Sequence, residues 1–202
     1  MITSYSSLQT SIASFLHRSD MTDIIKELIS DAEFRIANEL RIRAMEAAFS
    51  SAISSGVVAI PTGFLEWKFL YVDGDSAQKL ERRDTEWIYT NYPTRSAEGK
   101  PVCFSGEGDN VIFGPYPDSA YTIKGRYYKK LDALSDSNTT NWFITNAPDL
   151  LRYGALCEAA PYMMDDPRIV IWERKYEQVK QRIKATERRE AVSGSLLTAR
   201  AG

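Results

Sequence analysis

The sequence predicts an α+β fold: a helical bundle formed by the N- and C-terminal helices, an inserted mostly-β module and an extended C-terminal arm. Three observations point there. Apolar residues recur at three- and four-residue steps near both ends of the chain. In between, β-branched and aromatic residues alternate in short runs divided by Gly, Pro and Asp. The last stretch, AVSGSLLTARAG, has no periodicity. The expected division is 1–45 and 141–190 as helical core, 46–140 as β module and 191–202 as arm.

Two helices open the chain. Ser6 with Gln9 fits a capping box, in which Ser accepts from the backbone while Gln reaches back. Leu8, Ile12, Phe15 and Leu16 then share a face. Thr22 with Asp23 suits a second N-terminus, where the helix dipole favours negative charge. Ile25, Ile29, Ala32, Ile36 and Leu40 continue at helical spacing, which predicts a helix to about Arg43.

After Met45 the period shortens. Val57–Ile60 is an apolar run stopped by Pro61 and Gly63. Trp67, Phe69 and Tyr71 alternate with Glu66, Lys68 and Leu70, the period of a strand. Asp73-Gly74 reads as a hairpin turn. Asp84 is placed to cap a short helix carrying Trp87 and Ile88, and 102–104, 110–113 and 121–128 read as further strands.

Helices return with a turn at 141–145. Pro148 fits a first helical turn, where its missing N–H costs little, and a helix runs to Tyr162. Its Gly154, Ala155, Ala159 and Ala160 allow close approach of a neighbour. Asp166-Pro167 reads as an N-cap followed by proline at the first helical position. Ile169, Trp172, Tyr176, Val179 and Ile183 step by three and four, and the last four are the expected packing seam.

Composition narrows the function. The chain has 202 residues, 44% hydrophobic and 26% charged, ordinary globular values. No stretch approaches the ~20 apolar residues of a membrane span. The opening residues lack the basic and apolar regions of a signal peptide, so a cytosolic origin is expected. Cys103 and Cys157 are expected as free thiols. Residues 1–166 carry 16 Lys/Arg against 23 Asp/Glu, while residues 167–202 carry 9 against 4. This basic end either docks on something acidic or is the solvated face of one helix.

Chemistry is sparse. His17 is the only histidine, so any His-dependent triad must use it, and no CxxC accompanies it for zinc. GxSxG, GxxxxGK[ST] and HExxH do not occur. GEGDN at 106–110 lies between predicted strands and reads as a hairpin rather than a phosphate cradle. Asp165-Asp166 is the obvious carboxylate pair for glycoside hydrolysis, but capping explains Asp166 as well. Tyr127, Tyr128, Lys129 and Lys130 form a basic-aromatic cluster of the type that binds single-stranded nucleic acid. The competing reading is a strand ending at an exposed, charged edge. No catalytic residue, cofactor or metal ligand is therefore assigned.

Three stretches carry a resemblance: FLEWKFLYVDGD at 64–75, NWFITNAPDLLRYGALCEAAPYM at 141–163 and DDPRIVIWERKYEQ at 165–178. The opening ITSYSSLQTSIASFLHRSDMTD fits too. Together they resemble the head-to-tail adaptor, or head-completion, proteins of tailed bacteriophages. The resemblance implies a structural virion protein with no need of an active site. It implies a ring, typically of twelve subunits, under the portal protein. Tail or nozzle proteins would sit below, and double-stranded DNA would pass through without sequence-specific binding. It also implies that the arm reaches the portal, which makes Leu196, Leu197 and Arg200 the expected docking residues. The alternatives are another connector or tail-hub protein, or a tail-associated lytic hydrolase.

Overall fold

A computed structural model describes residues 1–53, 55–74, 77–93, 98–163 and 166–192. The chain divides into two compact units, residues 1–44 with 131–202, and residues 45–130. The first unit is helical and the second is built of strands. The fold is α+β with an inserted β module.

The helical unit contains α1 (Tyr5–Leu16), α2 (Thr22–Glu39), α4 (Trp142–Asn146), α5 (Pro148–Glu158) and α6 (Arg168–Val192). Helix α5 packs against α1, α2 and α6. Its Leu150, Leu151, Ala155 and Leu156 are fully buried. The small residues act as expected: a Cβ on Gly154 would lie 3.1 Å from the Cβ of Ala32 on α2. Leu8, Ile12 and Leu16 of α1 and Ile25, Ile29, Ala32 and Ile36 of α2 are buried as their spacing requires.

The helix ends differ from the sequence reading, each for a local reason. The α1 cap is Ser4, not Ser6: Ser7 N donates to Ser4 Oγ (3.2 Å) and Ser4 N to Ser7 Oγ (2.9 Å). Ser6 is already inside the helix, where its carbonyl accepts from Thr10 Oγ1 at 3.0 Å. Helix α2 stops at Glu39 instead of continuing to about Arg43 because Leu40 turns extended. Leu40 and Ile42 are both buried, and a stride of two cannot place both inward on a helix. Arg41 satisfies the loose end by donating to the carbonyls of Ala37 (2.6 Å) and Leu40 (2.8 Å). Helix α5 ends at Glu158, four residues short, because Pro161 cannot extend it. A 3₁₀ turn, Ala160–Tyr162, follows. Helix α6 begins at Arg168, whose N–H donates to Asp166 Oδ1 at 2.9 Å.

Among the described residues the β unit holds two four-stranded sheets. One runs β1 (Glu46–Ile53), β8 (Tyr121–Lys129), β3 (Phe64–Val72), β4 (Gln78–Lys79). The other runs β2 (Val57–Ala59), β7 (Asn110–Gly114), β6 (Cys103–Glu107), β5 (Glu81–Arg82). Helix α3 (Thr85–Asn91) follows Asp84. Phe49, Ile53, Val58, Trp67, Leu70, Val72, Phe104, Val111, Phe113 and Ile123 meet in one core drawn from both sheets. GEGDN is a hairpin: Glu107 pairs with Asn110, and Gly108 takes φ 58.

Strand β3 departs from simple alternation. Trp67 is buried, but Phe69 is exposed and Leu70 and Val72 are buried. The β3–β8 register shifts between Trp67 and Phe69, so one extra residue flips the phase of the strand. Gly125 of β8 makes the bulge possible. A Cβ there would lie 2.2 Å from the carbonyl oxygen of Phe69.

Strand β8 ends at Lys129, and residues 131–140, expected with the strands, belong to the helical unit. Tyr5 N donates to Thr139 O at 2.7 Å, and Leu134 N donates to both carboxylate oxygens of Glu33 at 3.2 Å.

Candidate functional site

The four residues expected as a packing seam are all buried. Relative exposure is 4% for Trp172, 0% for Tyr176, and 8% for Val179 and Ile183. Their helix has a different opposite side, where Val170 and Ile171 are 67% and 57% exposed. Leu196, Leu197 and Arg200 lie outside the described residues.

Beside the seam is a cluster the spacing did not reveal. Arg35 of α2 donates to Glu173 (2.5 Å), Glu39 (3.1 Å) and Glu158 (3.3 Å). Its guanidinium sits 4.4 Å from the ring centroid of Tyr176. Tyr176 Oη and Lys180 Nζ both donate to Glu39, at 3.0 and 2.6 Å, and Lys180 also pairs with Glu177. Arg35 and its neighbours hold Glu173 below the usual carboxylate range. Burial pushes Glu39 up, but hydrogen bonds from Lys180, Arg35 and Tyr176 outweigh it and leave the acid lowered. Burial, then Glu39, raises the Tyr176 phenol. Acids held ionised in this way are poor proton donors. What the cluster does is fix α2, α5 and α6 against one another with directional bonds. The i,i+4 pair Arg35–Glu39 was a signal in the sequence; the partners on α5 and α6 were not.

A second polar contact holds the connection out of the β unit. Glu33, half-buried on α2, accepts from Leu134 N and from Asn141 Nδ2 (3.0 Å). Burial raises its pKa against those hydrogen bonds. Asn141 also caps α4, its Oδ1 accepting from Ile144 N at 3.1 Å.

The sequence's catalytic candidates that fall on described residues hold structural positions. His17 is the left-handed C-cap of α1. Asp166 is bound to Arg168 at 2.6 Å, and Asp165 lies outside the described residues. Cys103 and Cys157 are buried, and burial raises both thiol pKa values. The basic-aromatic cluster splits: Tyr127 is buried against Trp67 and Phe64, while Lys130 is exposed. It is not on an edge either, since β8 runs between β1 and β3. Among the described residues, no three His, Cys, Asp or Glu are placed to hold a metal ion, and no helix is long and apolar enough to cross a membrane. An open groove beside α1 is walled by Ser7, Thr10, Ser11, Ser14 and Arg152. Arg152 is paired there with Asp149 at 2.6 Å and lies over the rings of Phe15 and Tyr153.

No curated protein matches the chain. The family model of the SU10 adaptor protein matches residues 3–199. Because the match spans both units, the chain belongs to the SU10 adaptor protein family, whose members are structural adaptors of bacteriophages.

Proposed function

We propose that the protein is a non-enzymatic virion subunit that forms a ring, most simply of twelve copies, joining the portal of the phage head to the tail. The observation that carries this reading is the family match across residues 3–199. A closed ring needs two different surfaces on each subunit, because neighbours meet head to tail. Exposed Val170 and Ile171 on α6 and exposed Phe34 on α2 offer apolar area on different helices of the helical unit. The acidic balance of residues 1–166 suits a channel along which DNA slides, since few phosphates would be neutralised and little counterion release would hold the duplex.

The arm, residues 191–202, docks on the portal through Leu196, Leu197 and Arg200 in this reading, after a basic α6. The protein is made in the host cytoplasm and ends at the head–tail junction. The test is a phage lacking this gene. Heads should fill with DNA but remain tailless, and purified protein should restore infectivity. Normal tailed particles from the mutant would overturn the reading.

A further inference from the structure

Two four-stranded sheets leave four edges. Three are short: β4 and β5 have two residues each and β2 has three. Strand β1 has eight, paired without interruption to β8 from Glu46↔Tyr128 to Ile53↔Tyr121. Proteins blunt sheet edges with short strands, charge, proline or bulges. The first device is used at three edges here. None is used along β1 beyond Glu46: Ala47–Ile53 reads AAFSSAI, with no charge, no proline and no register shift.

The direction of the open backbone groups follows from β8. Asp73 N donates to Thr122 O and Lys130 N to Gly63 O, both at 2.8 Å. The even-numbered residues of β8 thus turn their backbone groups toward β3, and the odd-numbered ones face β1. With Phe49 opposite Gly125 and Ser50 opposite Lys124, the odd residues of β1 bond to β8. The N–H and C=O groups of Ala48, Ser50 and Ala52 point the other way. No strand pairs with them among the described residues, and the three side chains are exposed.

We propose that the outer edge of β1 is a docking strand, which takes an extended segment of another virion protein, apolar at alternate positions, by strand addition. The chemistry of the segment follows from the edge. Beside Phe49 and Ile53, which belong to the core, a charged side chain would lose hydration. Alternate residues of the incoming strand would extend the core-facing row of Phe49 and Ile53, which favours apolar side chains. The other residues would lie beside Ala48, Ser50 and Ala52, which are small enough to admit large neighbours. The choice of a different protein rests on the ring reading. A pair of β1 strands from two copies would be two-fold symmetric and could not repeat around a head-to-tail ring.

The test is residue-resolved hydrogen exchange at Ala48, Ser50 and Ala52, in the purified protein and in intact particles. Exchange should be at least about tenfold slower in the particle. Ser50→Pro removes one outward N–H while sparing the β8 ladder, so the free protein should fold with an unchanged melting temperature and particle yield should fall. Equal exchange in both states overturns the proposal even if Ser50→Pro fails to fold. Protection already present in the free protein through self-association would assign the edge to a second copy and also overturn it. Absence of the protein from particles would instead defeat the adaptor reading.

Discussion

Tyr176 on α6 donates a hydrogen bond of 3.0 Å to Glu39 on α2, across a sequence separation of 137 residues. The bond closes the helical unit around the point where the β module is inserted, since Glu39 is the last residue of α2 and the module begins six residues later. The two ends of the chain must find each other to make it, so the helical unit cannot mature until its C-terminal part has been synthesised.

Trp172→Ala tests the seam. The side chain is buried, so its removal should cost about 3–5 kcal/mol and lower the melting temperature markedly. An unchanged transition would show that Trp172 does not pack in the helical unit.

Arg35→Ala tests the polar cluster. It leaves Glu39, Glu158 and Glu173 without their shared cation. The guanidinium is 25% exposed, so the loss should be near 2 kcal/mol, below that of a fully buried pair. A cycle with Glu173→Gln should be non-additive by at least about 0.5 kcal/mol, measured by urea denaturation. Strict additivity would mean the two side chains do not interact.

Glu33 and the Glu39–Glu173 pair should respond to pH with opposite sign. The pKa of Glu33 is raised on folding, so its contribution is full below its ordinary value of 4.5 and is lost as pH rises through the folded value. Glu39 and Glu173 are lowered, so theirs is full above 4.5 and is lost as pH falls through the folded values. Melting temperatures of the wild type and Glu33→Gln should therefore draw together in acid and separate, in favour of the variant, above it. Parallel curves would remove Glu33 from the titration.

Much of this was legible in the sequence because burial is periodic. Ile25, Ile29 and Ala32, or Trp172 and Tyr176, announce a helix face by spacing alone, and the Glu107–Asn110 hairpin by its glycines. The β3 bulge was not legible. FLEWKFLYV ends in four apolar residues, Phe69 to Val72, which do not say which of them turn inward, and the opposing Gly125 that admits the extra residue is distant in sequence. The cluster around Arg35 was hidden for a similar reason: its partners come from three helices, and no local pattern places Glu158 near Glu173. The α5 end could have been read, since Pro161 stands in the sequence as a stop.

Gly125→Ala tests that bulge. Its Cβ would meet the Phe69 carbonyl oxygen at 2.2 Å, so β3 must shift, at a cost of about 1–3 kcal/mol. Thermal unfolding of the full chain would show it. A neutral substitution would mean that the two strands pair without the bulge.

Truncation after Ala191 separates folding from docking. The body should keep its melting temperature, while binding to purified portal rings should weaken strongly, because many weak arms on one ring act together. Undiminished binding would make the arm dispensable.

The central claim, a ring at the joint of head and tail, is met most directly by cryo-electron microscopy of the intact particle. This chain should stand in a closed rotational ring, most simply of twelve copies, directly under the portal with its C-terminal arm toward the head. A single copy, a trimeric spike or a position away from the head–tail junction would contradict it.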